Sequence, residues 1–341
     1  MGVDLGEIPK TPASLSELAG KKFAVDAYNT IYQFLSSIRQ PDGTPLQDSR
    51  GNVTGHLAGV FYRNCRLLEN GIRPIYVFDG KPPGFKSGVL AERSGRKAEA
   101  EARWKAALEK GNLEEARTAA QATSRLTPKM AEEAKELLRC MGIPVVESPS
   151  EGEAQASQLV AEGSADAVAS QDIDCLLFGA PLLLRNLSAG GRRKLPGKNE
   201  YVEVQPEFIS LEETLSSFGI SREQLVWMGL LVGTDFDEGV KGVGPKKALK
   251  IVKDSSSLQE AARKAGAESD LPLFQSVEHF FLDPPVDKGV QPQFGRLQPD
   301  KLVDFLCSKH DFSEERVRRT CGSAEKKMKE AGAQTRLDSW S

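Results

Sequence analysis

The run Lys22-Phe23-Ala24-Val25 ends directly on Asp26, and the run Ile75-Tyr76-Val77-Phe78 ends directly on Asp79. Short apolar runs of this kind, rich in β-branched and aromatic residues, read as buried strands. Between them the residues from about Thr54 to Glu69 follow the periodicity of a helix. A third β-like run, Ala165 to Ser170, leads to Asp172 and Asp174, and a fourth lies near Leu182 to Arg185. Strands alternating with helices predict an α/β fold on a central, mainly parallel sheet flanked by helices. Ligands of open sheets sit beyond the carboxyl ends of the strands, and three separate strand ends carry acids there.

Glu151 and Glu153 in Ser150-Glu151-Gly152-Glu153-Ala154, and Asp235 in Gly233-Thr234-Asp235, extend the acidic set. Carboxylates gathered at one end of a sheet repel one another unless cations neutralise them. The three histidines are far apart and the five cysteines form no C-x-x-C pair, so a metal would be held mainly by carboxylates. That favours magnesium or manganese over zinc. Two magnesium ions about 3.5–4 Å apart can activate water and stabilise the leaving oxygen of a phosphodiester. Each acid alone has a structural alternative. Ser150-x-x-Glu153 fits a capping box, Asp172 could close a turn, and Asp235 with Asp237 could be a solvated loop. Capping leaves Glu151 unexplained, and the combination favours a metal site.

The chain has 341 residues, 27% of them charged, and a formal net charge of −3, which argues against DNA binding by bulk electrostatics but allows a local basic surface. Its longest apolar run, Leu225 to Gly233, is about half of the ~18 residues a membrane span needs. Met1-Gly2-Val3-Asp4-Leu5-Gly6 carries no secretory pattern, and Gly6 stands where a myristoylation signal wants Ser or Thr. A soluble intracellular protein with reduced, structural cysteines and no membrane partner is expected.

From Leu90 to about Leu138 the sequence is helical, charged and poor in large apolar residues, with Gly111-Asn112 breaking the pattern. Pairs such as Glu92 with Arg96 and Glu101 with Lys105 would suit an exposed helix. Lys86 and Arg93 are seven residues apart, one face of a helix, where cations could stabilise transition-state charge. Gly242-Val243-Gly244-Pro245-Lys246-Lys247-Ala248 places glycine amides, a helix start and two lysines at one point, a phosphate-binding arrangement that fits a helix-hairpin-helix. Gly190 to Lys194 reads as an exposed basic hairpin tip. Pro299 to Lys309 reads as a packed helix, and a lysine-rich helix is expected after Gly322.

These motifs together resemble the flap endonucleases of the structure-specific 5′ nuclease superfamily. The resemblance rests on Val25-Asp26-Ala27, Val77 to Pro83 with Lys86-Ser87-Gly88 and Arg93, Glu151 to Ala154, Asp172 to Cys175, Gly233 to Asp235 and Gly242 to Lys246. It implies that Asp26, Asp79, Glu151 and Glu153 serve one metal group and Asp172, Asp174 and Asp235 a second, with two Mg2+ per site and Mn2+ able to substitute. Lys86 and Arg93 would be catalytic at the base of a helical arch over the active site. Tyr32 would stack on a nucleotide and Arg63 would contact a phosphate. Glu151, Gly233, Asp235, Gly242, Gly244, Lys246 and Lys247 would also lie at the DNA. The implied reaction is cleavage of 5′ flaps on branched DNA, with 5′-3′ exonuclease activity, in Okazaki fragment maturation and repair.

The resemblance divides the chain into a nuclease region (1–98), an arch segment (99–127) within the charged stretch, an internal nuclease region with the helix-hairpin-helix (128–258), a helical region (259–329) and a tail (330–341). Gln334, Leu337 and Trp340 in the tail match a motif that binds the sliding clamp PCNA, with Ser341 where an aromatic is usual. Gln171 departs from the Glu of many relatives. A monomer of archaeal type is expected, in the cytoplasm or nucleoid. Competing readings are a junction, gap or bubble nuclease of the same superfamily, a silent DNA-binding scaffold, and an RNA nuclease.

Overall fold

A computed structural model describes residues 2–187, 191–194 and 201–338, excepting the side chains of residues 86–94, 96, 191–194, 201–203 and 331–338. Nine strands are described: β1 (Thr11–Pro12), β2 (Lys22–Asp26), β3 (Arg73–Phe78), β4 (Val145–Glu147), β5 (Ala167–Ala169), β6 (Leu182–Arg185), β7 (Gly191–Lys194), β8 (Tyr201–Val204) and β9 (Glu207–Ser210). Seven of them form one sheet in the order β1-β9-β6-β5-β2-β3-β4, and β7 pairs with β8 alone. Strands β4, β3, β2, β5 and β6 run parallel. The edge formed by β9 and β1 is antiparallel, which the sequence reading did not include. Since β3 and β4 lie on one side of β2 and β5 and β6 on the other, the chain changes direction of progress beside β2. The crevice at such a reversal is where open α/β sheets bind ligands.

The helices are α1 (Ala27–Ser37), α2 (Gly55–Glu69), α3 (Ser87–Glu109), α4 (Leu113–Gln121), α5 (Pro128–Cys140), α6 (Gly152–Ala161), α7 (Asp174–Leu177), α8 (Leu211–Phe218), α9 (Arg222–Val232), α10 (Pro245–Lys253), α11 (Leu258–Ala265), α12 (Leu271–Leu282), α13 (Pro299–Val303) and α14 (Glu314–Asp338). None of the described helices is long and apolar enough to cross a membrane.

Alternation along the strands sorts side chains to two cores. Phe23, Val25, Tyr76 and Phe78 face α1, α2, α5 and the segments at α13 and α14, whereas Ala24, Ile75 and Val77 face α6, α7 and the helices α9 to α12. The one polar atom on the Tyr76 ring is satisfied by Asn64 Nδ2 at 3.0 Å, which lets a fully buried tyrosine stand in the sheet. Each core joins residues from distant parts of the chain, Val3 with Phe281 in one and Phe23 with Val317 in the other.

The charged stretch folds into a helical hairpin. Gly111 adopts φ +68° at its turn, and the Asn112 side chain caps α4 by accepting from the Glu115 amide. Among its described side chains the buried ones are Ala100, Ala107, Ala116 and Ala120, small enough for α3 and α4 to pack closely. The hairpin docks on the loop after α1: Trp104 Nε1 donates to the Asp42 carbonyl, and Arg39 donates to Ser124 Oγ. The pair Glu101 with Lys105 forms at 3.0 Å. The pair Glu92 with Arg96 lies outside the described side chains.

Several local expectations are corrected. Gly191 to Lys194 form strand β7 instead of a hairpin tip. Lys86 ends a 3-10 turn, Gly84–Lys86, and so precedes α3 instead of sharing its face with Arg93. The last helix begins at Glu314, eight residues before Gly322, and carries Ala331-Gly332-Ala333 within it. Trp340, and the side chains of Gln334 and Leu337, lie outside the described residues.

Candidate active site

Four neighbouring parallel strands each deliver acids to one rim of the sheet. Asp26 is the last residue of β2 and the N-cap of α1, where its Oδ1 accepts from the Asn29 amide at 3.0 Å. Asp79 follows β3 and accepts from the Gly152 amide, the first of α6, at 2.6 Å. Beyond β4, Glu151 is the N-cap of α6 and Glu153 lies in its first turn. Both therefore sit at the positive end of the helix dipole. Asp172 and Asp174 follow β5, and Asp174 opens α7.

The expected capping box at Ser150 and Glu153 does not form. The N-cap is Glu151, without a side-chain capping bond, and the Ser150 amide donates instead to Ser148 Oγ at 3.2 Å. This frees Glu153 to reach the sheet rim, where Ser170 Oγ donates to it at 3.4 Å. Gly152 has a packing reason to be glycine, since a Cβ there would lie 2.7 Å from Asp79 Oδ1.

Three groups that the sequence reading passed over complete the rim. The amides of Gly2 and Val3 donate to Asp172 Oδ1 at 3.1 Å and to Asp174 Oδ1 at 2.5 Å. Asn29 Nδ2 donates to Asp172 Oδ2 at 2.5 Å. A Cβ on Gly2 would come within 2.8 Å of Asp172 Cβ, so only glycine brings this backbone so close. Asn29 was findable, because it lies three residues after Asp26 on the first turn of a helix that starts at the rim. The N-terminal amides carried no sequence signal.

Burial and crowding dominate the electrostatics. Burial, with the Asp79 charge next in importance, pushes Asp26 well above the usual carboxyl range. Burial and then Asp174 do the same for Glu153. Asp174 is raised to about 7 by burial and by the Asp235 charge, against the Val3 amide that favours its ionised form. Cys175, buried behind the acids, is raised by burial and by the charges of Glu153 and Asp174, which leaves an inert thiol. All seven predicted acids are thus drawn into one electrostatic neighbourhood. Among the described residues, no group of three or more His, Cys, Asp or Glu side chains is drawn close enough to hold an ion as it stands.

Asp235 and Asp237 differ in kind. Asp237 is buried and structural: it accepts from Thr234 Oγ1 at 2.6 Å and from the Gly239 amide at 2.9 Å, and burial raises it to about 6. Asp235 contributes its charge to Asp174 and Glu153. Gly233, at φ +108°, ends α9 and packs against the backbone of Glu238 and Gly239. Further along, Gly242 and Gly244 are exposed, Gly244 is the N-cap of α10, and Lys246 and Lys247 are exposed in its first turn. Gly6 of the N-terminal segment sits against Pro245.

Tyr32 lies on α1 with Lys97 Nζ 5.1 Å from its ring centre. Arg63 leans over Phe34 and lines a cleft with Asn29, Ser170 and Gln171. On its other side Gln171 lines a second cleft with Gly2, Asp172, Lys10 and Arg185. The side chains of Lys86 and Arg93 lie outside those described.

Comparison with known proteins was consistent along the chain. The XPG N-terminal domain matches residues 7–100 and the XPG I-region residues 142–235. Flap endonuclease 1 of Pyrococcus furiosus is 51% identical over 342 aligned residues, covering 100% of this chain and 99% of the relative. Flap endonuclease-1 from Methanococcus jannaschii superposes with a TM-score of 0.73 at 38% identity, over 96% of this chain and 99% of that one. The catalytic core of Rad2 in complex with DNA substrate gives a TM-score of 0.67 at 26% identity, over 92% and 96% of the two chains.

The raised carboxyl groups have a consequence for stability without metal. A carboxyl whose folded pKa exceeds its unfolded value is protonated in the folded state while the unfolded chain ionises, so stability is lost as pH rises from the unfolded value, near 4, through the folded one. For Asp174 that window ends near pH 7. Asp174→Asn keeps an oxygen for the Val3 amide and removes the charge. In EDTA it is expected to melt at a higher temperature than the parent at pH 8 and by a smaller margin at pH 5. Equal melting at both values would refute the reading.

Proposed function

The chain belongs to the flap endonuclease family, and from that premise we propose that its buried acids bind two magnesium ions for phosphodiester hydrolysis at 5′ flaps. As a member it is a structure-specific flap endonuclease, a hydrolase of DNA replication and repair. The observation that carries the metal reading is the gathering of Asp26, Glu153 and Asp174 in one buried cluster, where burial and mutual charge suppress their ionisation, an all-oxygen set that suits hard divalent cations. Asp26, Asp79, Glu151 and Glu153 would form one ligand group and Asp172, Asp174 and Asp235 the other. Asp172 and Asp174 would serve as ligands while the amides of Gly2 and Val3 hold one oxygen of each. When bound, magnesium would acidify water and neutralise charge on the phosphodiester.

The chain's own groups would do the rest. Gly242, Gly244, Lys246 and Lys247 would hold duplex phosphates without reading sequence. Gly233 would shape the turn that presents Asp235, and Arg63 would contact a phosphate beside the rim. Tyr32, with Lys97 beside its ring, would stack on a nucleotide near the cut. The hairpin of α3 and α4 would arch over the emerging 5′ strand, with Lys86 and Arg93 stabilising transition-state charge. We further infer 5′-3′ exonuclease activity, manganese as a substitute metal, and action inside the cell as a monomer that docks on PCNA through Gln334, Leu337 and Trp340.

On a labelled double-flap substrate, Asp174→Ala is expected to abolish magnesium-dependent cleavage while branched DNA still binds; cleavage at the parent rate would sink the assignment. In the same single-turnover assay Lys86→Ala and Arg93→Ala are expected to lose rate more than affinity. The reverse split would make them docking residues only.

The Lys246→Ala/Lys247→Ala variant is expected to weaken duplex binding equally for all sequences, with a flatter dependence on salt. An unchanged slope would remove this hairpin from the interface. For the tail, titration of PCNA is expected to show weaker binding by Leu337→Ala/Trp340→Ala and tighter binding by Ser341→Phe, which restores a buried aromatic worth about 1.5–3 kcal/mol. Parent-like affinity in the double alanine variant would rule out this anchor.

A further inference from the structure

We propose that Phe85 is a positioning residue for cleavage, fixing the entry of the arch to the same aromatic cluster that fixes the Asp235 turn. Phe85 stands in the middle of the 3-10 turn Gly84–Lys86, immediately before α3. Its approach is Lys81-Pro82-Pro83-Gly84, where a Cβ on Gly84 would meet nothing within 4 Å. Within that approach and turn Phe85 is the apolar side chain packed on the core.

The contact is specific. The Phe85 ring meets Phe236 edge-on at 5.5 Å and 82°, and Phe280 at 5.4 Å and 81°. Phe236 and Phe280 meet each other at 5.4 Å and 75°, closing a triangle of perpendicular rings. Phe281 and Phe178 back it from the core. Edge-to-face rings are directional contacts, so the triangle sets an orientation as well as a distance.

Phe236 is the residue after Asp235, in a turn that has little freedom. Thr234 is held by Asp237, and Gly239 packs against the backbone of Val232 and Gly233 so closely that a Cβ there would lie 2.4 Å from it. The same turn runs on to the exposed glycines Gly242 and Gly244. One cluster therefore ties together an acid of the rim, the duplex-binding hairpin and the first residues of the arch. Phe85 acts through the backbone of Lys86 and α3. A duplex seated at Gly242 to Lys247 thereby sets where the arch begins.

The proposal rests on flap cleavage by this site, so the parent protein is assayed beside the variants. Phe85→Ala is measured for single-turnover cleavage of a 5′-flap substrate at saturating enzyme with magnesium, and for affinity by fluorescence anisotropy in EDTA. The expected result is a rate at least about tenfold below the parent with affinity within about twofold, because the groups acting on the transition state are displaced while duplex contacts remain. Because Phe85 is only partly buried the variant is expected to fold; if its melting temperature drops by more than about 5 °C, Phe85→Val, a smaller truncation, is read the same way. A parent-like rate, or equal losses of rate and affinity, would overturn the proposal. A parent that does not cut flaps would overturn the underlying reading as well, and would be told apart by its own control lane.

Discussion

Mutual repulsion among buried carboxylates at one rim of the sheet is the constraint around which the rest of the molecule is arranged. A parallel sheet with β2 at its centre brings the ends of β2, β3, β4 and β5 side by side, and each end is followed by an acid. In isolation the cluster would open. It is held because each acid is fixed by local structure: Asp26 caps α1, Asp79 is tied to the first amide of α6, and the amides of Gly2 and Val3 reach Asp172 and Asp174. Charge that opposes folding is stabilised by dipoles, and two apolar cores on the faces of the sheet absorb the remaining cost.

Packing and charge are divided between different parts of the fold. The faces of the sheet carry the apolar contacts, while the helical hairpin is built on alanines and surface ion pairs. Such a hairpin has little burial to hold it in place by itself. Directed contacts help to place it, among them Trp104 with the Asp42 carbonyl, Arg39 with Ser124, Lys97 over the Tyr32 ring, and the Phe85 ring at its base.

Much of this was legible from residue order. The runs ending on Asp26 and Asp79 marked the central strands because their apolar character stopped abruptly at a charge. Strands β4, β9 and β1, of two to four residues, escaped notice. Gly322 misled: glycine is a common helix stop, yet here it lies within α14. The Ser150 and Glu153 spacing suggested a capping box, but the helix starts one residue later than that box would need. What no local pattern could reveal were contacts between remote segments, such as the Gly2 and Val3 amides on the acids or Phe85 on Phe236 and Phe280. Phe85 follows two prolines and a glycine and precedes a charged helix, so no periodicity marks it as packed.

The reach of the N-terminal amides bears on how the enzyme comes into being. Val3 bonds Asp174 across 171 residues, and Ser49 bonds Asp311 across 262. Contacts of such sequence separation form slowly, because long loops must close before they gain anything. During synthesis Gly2 and Val3 are made long before the acids they meet, the acids follow one strand at a time, and Asp235 comes after all of those at the strand ends. No early-folding fragment holds the full set. In the reading proposed above, the metal-binding set is complete only once Asp235 has joined acids that follow strands far apart in the chain.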